Sequence, residues 1–234
     1  MNKEENIKMD DPMNENVTIK IHDKLTRLKD RLTTKDKRPK GRVQIFEKND
    51  DGTLTKIEDT NNLIVYNGRE WLIQRATNQL LSGWTATSPQ HYISWFGLGT
   101  GGAGANLLIP IVPVVTDFQL NQEIVINALD PNLPNSGKLH PFSTIEFIED
   151  TANNNRFLIA SITTVISKTE ANGPSNGSGP SDYYDLNEAA LYTSNSNDKS
   201  AFILSTLKLF ARVTFSTIRK NVNRSLVFVW YIYF

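Results

Sequence analysis

The 234-residue sequence contains no cysteine, which removes disulfides, thiolate nucleophiles and cysteine metal sites together, so the fold has to stand on packing alone. It has no charge surplus either: Lys+Arg 25 balance Asp+Glu 25, and a formal net charge of zero gives no global drive toward nucleic acid or an anionic membrane. Long apolar runs are scarce. Pro110 and Pro113 interrupt the one that lies outside the C-terminal stretch, and the charged N-terminus lacks the apolar core of a signal peptide, so the expectation is a soluble, non-secreted chain. Histidine is rare as well. His22 falls in a polar tail, His91 and His140 flank prolines, and without an H-x-x-x-H spacing each reads as a surface or turn residue and no metal site is expected.

What is present is β-forming. Residues 207–215 and 226–234 are runs of β-branched and aromatic side chains separated by a polar segment with Arg219, Lys220 and Arg224, which reads as a hairpin. The last run has no polar face, so it must be covered on both sides and lie inside a sheet, paired with 207–215. Upstream, Asn49-Asp50-Asp51-Gly52 predicts a tight turn between two strands. Residues 62–66 form a further strand, and Asn67 is placed to cap a helix over 68–81, with Trp71, Leu72, Ile73, Ala76 and Leu80 on its apolar side. Strands are also expected over 92–98, 118–126, 143–149, 157–167 and 186–192. The fold class is therefore mainly β: an antiparallel, jelly-roll-like β-sandwich of about eight to nine strands with one substantial helix and an extended N-terminal arm.

Two parts follow. Residues 1–41 are a polar arm in which Ile21, Leu25, Leu28 and Leu32 share one helical face, a candidate partner-binding stripe; residues 42–234 are the sandwich domain. Residues 171–182, rich in Gly, Ser and Pro, form an exposed loop.

Chemistry-bearing motifs are few. Gly97, Gly99 and Gly102 satisfy G-x-G-x-x-G, but that fingerprint needs a helix opening directly after the glycines, and Pro110 and Pro113 forbid it. The cluster reads as a structural loop. Glu188 interrupts an apolar strand and is expected to be buried against Arg212 as a structural pair. The basic residues between the last two strands read as a solvated turn, so nucleic acid is not an expected partner. No catalytic residue and no cofactor is expected.

Four segments carry a resemblance. Asn62-Leu63-Ile64-Val65-Tyr66-Asn67-Gly68-Arg69-Glu70, then Phe96-Gly97-Leu98-Gly99-Thr100-Gly101, then Asn187-Glu188-Ala189-Ala190-Leu191 with Leu209-Phe210-Ala211-Arg212-Val213-Thr214-Phe215, and the ending Val229-Trp230-Tyr231-Ile232-Tyr233-Phe234 resemble, in that order, a loose group of tailed-phage virion proteins. The resemblance implies a non-enzymatic β-sandwich subunit of a phage particle, made in the host cytoplasm and located in the virion, with other virion proteins and copies of itself as partners. Neck or collar and tail are the expected places. The alternatives are a capsid decoration or cement protein, and a carbohydrate-binding module for host attachment, for which Trp84 in a loop would be the stacking platform while Trp71, Trp95 and Trp230 belong to the core.

Overall fold

The computed structural model of the chain describes residues 6–10, 16–20, 41–77, 91–104, 107, 109–127, 136–150, 157–174, 182–196, 198 and 200–233. The elements are β1 (Asn6–Asp10), β2 (Asn16–Lys20), β3 (Gly41–Lys48), β4 (Leu54–Ile64), α1 (Tyr66–Thr77), β5 (Tyr92–Gly99), β6 (Leu139–His140), β7 (Thr144–Asp150), β8 (Phe157–Ile166), β9 (Tyr184–Ser194), a 3-10 turn (Leu204–Thr206), β10 (Lys208–Lys220) and β11 (Ser225–Tyr233). β1 and β2 pair with each other. The other nine strands form one curled antiparallel sheet in the order β6-β5-β9-β10-β4-β3-β11-β8-β7. The chain is thus mainly β, as expected. The stripe residues Ile21, Leu25, Leu28 and Leu32 lie outside the described residues, as does Trp84.

The curl has a local origin. Residues 54–62 of β4 pair with β3, whereas Leu63 and Ile64 pair with Arg212 and Ala211 of β10, so one strand passes from one layer to the other. Side chains alternate across each strand, and the faces that meet are apolar. Val43, Ile45, Phe228 and Trp230 of one layer join Phe96, Leu98, Val213 and Phe215 of the other in a single buried cluster. Phe96 and Phe215 both pack on the Phe228 ring, with centroids 5.0 and 6.2 Å away.

The β3–β4 turn forms where the sequence places it. Gly52 takes a φ of 80°, and Asp51 Oδ1 accepts from the Thr53 amide and hydroxyl at 2.9 and 2.6 Å.

β11 is interior and buried on both faces, as its unbroken apolarity requires. Its second face carries Val227, Val229 and Tyr231, clustered with Ile159 and with Phe46, Leu54, Ile148 and Val165 of the neighbouring strands. Its neighbours, however, are β3 and β8, not β10. Residues 221–224 are not a hairpin turn but an arch between layers. β10 already has β9 along one edge and β4 on the other, and stacking β10 on β11 buries Phe215 against Phe228. The arch is held by polar contacts: Lys220 Nζ donates to Glu170 O, Asn172 Oδ1 and Asn221 O at 2.6, 2.6 and 3.0 Å, and Arg224 forks onto Glu47 with both bonds at 2.9 Å. Lys220 is fully buried, contrary to its expected place in a solvated turn. Burial pulls its amine down to about 8 from an ordinary 10.5.

Two further expectations are corrected. α1 starts at Tyr66, so Asn67 lies inside it and does not act as the cap; the Val65 and Tyr66 amides are taken by Phe210 O at 3.1 Å and Val115 O at 2.8 Å. Residues 118–126 are no strand, apart from a single bridge between Glu123 and Gly99. Their backbone is spent elsewhere: Asn121 and Gln122 donate to a carboxylate, Ile124 to Leu98 O and Ile126 to Gly137 O.

Candidate functional site

That carboxylate belongs to Glu188. Its position on β9 sits opposite Thr214 of β10 on one side and Gly99 of β5 on the other. On the outer face of this layer Glu188 is 0 % exposed. Five donors saturate it: the Gly101 and Gln122 amides reach Oε1 at 3.1 and 2.8 Å, while the Asn121 amide, Arg212 Nε and Arg212 Nη2 reach Oε2 at 3.1, 3.2 and 2.6 Å. Arg212 extends its remaining arm to Asp117 Oδ2 at 2.6 Å, so one guanidinium bridges two carboxylates. The expected Glu188–Arg212 pair is present, with Asp117 as an unforeseen third member; nothing in its sequence neighbourhood marks an aspartate 95 residues from Arg212 as its partner.

The glycine cluster makes this arrangement sterically feasible. A Cβ on Gly102 would lie 2.2 Å from Asn187 O, so the loop after β5 comes this close to β9 only with hydrogen at that position. The Gly102 amide donates to Asn187 Oδ1 at 2.6 Å. Amides that in a dinucleotide fold would face a phosphate are here directed at the protein's own carboxylate and amide oxygens.

Above the ion cluster runs an extended strap, residues 109–118 together with Leu107, fastened through its backbone. Ile111 donates to Gly102 O at 2.7 Å and its carbonyl accepts from the Thr214 hydroxyl at 2.8 Å. Leu107 O accepts from the Thr217 hydroxyl, Val115 O from the Tyr66 amide, and Asp117 Oδ2 from the Val114 amide at 3.0 Å. Pro110 and Pro113 have no amide to satisfy, so an extended segment can lie here without a partner strand. With its polar atoms turned inward, the strap presents apolar side chains outward. Val112 is 80 %, Phe118 69 % and Ile109 63 % exposed, and Leu107, Ile111, Val114 and Val115 are exposed beside them.

Several other titratable groups also have partners within the chain. His140, in β6, bonds Glu170 through Nε2 at 3.1 Å. Burial acts to raise the Glu170 pKa, but the bonds from His140 and Ser167 outweigh it and bring the group from 4.5 to about 2. His91, expected at the surface, is buried next to Tyr92. Tyr192 donates to Glu123 Oε1 at 3.0 Å, and burial together with that carboxylate holds its pKa well above the usual value. Arg219 lies 3.8 Å over the Tyr183 ring and pairs with Asp185. The basic residues of the β10–β11 arch therefore have carboxylate, carbonyl or aromatic partners within the chain. Among the described residues no group of three or more acidic or histidine side chains is placed to hold a metal ion, and no helix is long and apolar enough to cross a membrane.

Comparison of the chain with protein-family models, with curated proteins and with solved structures finds no match.

Proposed function

We propose that this chain is a non-enzymatic structural subunit of a tailed-phage particle, at the neck or collar or in the tail, joined to its neighbours by apolar surface. The observation that carries the proposal is the strap. Its exposed fractions together amount to about four whole side chains. At roughly 150 Å² for each large apolar side chain this is about 600 Å², at the upper limit of the largest apolar patch usual on a monomer. Burying it would release on the order of 15 kcal/mol before the costs of association, which is enough to hold a subunit in an assembly. The foundation supports the same reading. Glu188, Arg212 and Asp117 are locked in mutual bonds, which suits a rigid platform and leaves no free acid, base or nucleophile there. The segments that resemble virion proteins contribute Gly101, Glu188 and Arg212 to this platform and Tyr66 to the strap's anchorage.

The test is incorporation. A Val112→Asp, Phe118→Glu chain should be folded, with an unchanged circular dichroism spectrum, but should fail to enter purified particles that take up the wild-type chain. Incorporation at the wild-type level would refute the role of the strap, and absence of the wild-type chain from particles would refute the phage assignment.

A further inference from the structure

Resting on the reading of the strap as an interaction surface, we infer that its occupant is the strap of a second copy of this chain, the two packing face to face about a two-fold axis. Area is the first argument. Two straps of about 600 Å² bury about 1,200 Å² together, the lower bound for stable specific interfaces, and in an isologous contact the two areas match by symmetry. Among the described residues, Ile145 with Phe147 on edge strand β7 and Ile203 with Leu204 ahead of β10 each offer about one side chain's worth of exposed apolar surface, too little to cover the strap.

Charge is the second argument. From residue 109 to residue 118 the strap carries one ionisable group, Asp117, and it is paired within the chain with Arg212, which it shares with Glu188. Two straps can therefore meet with their one ionisable side chain already hydrogen-bonded inside its own chain, so that no charge enters the contact without a partner. A partner selected by complementary charge would find nothing to read.

Preorganisation is the third. The backbone bonds to Gly102, Thr214, Thr217 and Tyr66 fix the strap on its own sheet, so docking need not order a loose loop.

The absence of cysteine makes the test direct. Sedimentation of the full wild-type chain at about 10 μM should show a dimer, and Val112→Asp should raise the dissociation constant at least about a hundredfold by placing two carboxylates at the centre of the contact. Phe147→Glu, on the β7 ledge, should leave the dimer intact. Should Val112→Asp fail to fold, Val112→Cys and Phe147→Cys give a second measurement: a short bismaleimide should join Val112→Cys chains in pairs and leave Phe147→Cys chains single. A wild-type chain that stays monomeric at about 100 μM, a dimer that survives Val112→Asp, or crosslinking through position 147 in place of 112 would overturn the inference. These outcomes are separable from the particle test, because a chain that is monomeric in solution but enters particles through its strap fails only here.

Discussion

Glu188→Gln is the most informative single change in this molecule. It preserves shape and removes one negative charge from a side chain that accepts five hydrogen bonds and is fully buried. An amide has one acceptor oxygen, so its NH2 group must face donors: either the Arg212 guanidinium or the Gly101 and Gln122 amides. Each charge-assisted bond lost is worth about 1.5–3 kcal/mol, and breaking a buried pair from one side costs about 3–5 kcal/mol. Asp117 still neutralises Arg212 in part, which places the expected loss near the bottom of that range, about 3 kcal/mol. For a domain of this size that corresponds to a melting temperature lower by roughly 6–12 °C. Urea titration followed by tryptophan fluorescence measures it, with Trp95 and Trp230 in the core as probes. Hydrogen exchange adds the location: the amides of Gly101, Asn121 and Gln122 should exchange faster, while those of β8 and β11 should be unchanged beyond the global loss. A loss below about 1 kcal/mol for Glu188→Gln, with no local change in exchange, would refute the view that this carboxylate holds the glycine loop and the strap's foundation in place.

Two smaller predictions follow from other buried polar groups. Lys220 has a folded-state pKa of about 8, below its ordinary 10.5, so between these values the unfolded chain binds more protons and stability rises with pH; denaturation midpoints should climb from pH 8 to about 10, and Lys220→Met, while less stable overall, should lose that slope. A slope shared by both proteins would assign it to another group. Thr164 presents a buried hydroxyl with no hydrogen-bond partner inside the apolar sandwich, so Thr164→Val should be neutral or stabilising by up to about 1 kcal/mol in the same titration, and clear destabilisation would show that the hydroxyl is satisfied.

The sequence by itself determined the class of fold and several local events. Period-two and unbroken apolar runs require sheet, Asp51-Gly52 requires the β3–β4 turn, and a strand as apolar as residues 226–233 can only be an interior one; each is a preference of a few neighbouring residues, so it is written locally. The Glu188–Arg212 pair was legible for the same reason, since a charge interrupting an apolar strand needs an opposite charge beside it. Which strands adjoin was decided only by the tertiary structure. Residues 221–224 suit a hairpin as well as an arch, and what selects the arch is the burial of Phe215 on Phe228 together with an already occupied β10 edge. Residues 118–126 have strand-like composition but lose their ladder, because their amides serve a glutamate 66 residues away in sequence. The inward-turned polar backbone of the strap likewise depends on Thr214, Thr217 and Tyr66, which no local pattern connects to it. An apolar run interrupted by two prolines is ambiguous between core and surface until the partners of its backbone are known, and those partners place the Leu107, Ile109 and Val112 side chains in solvent.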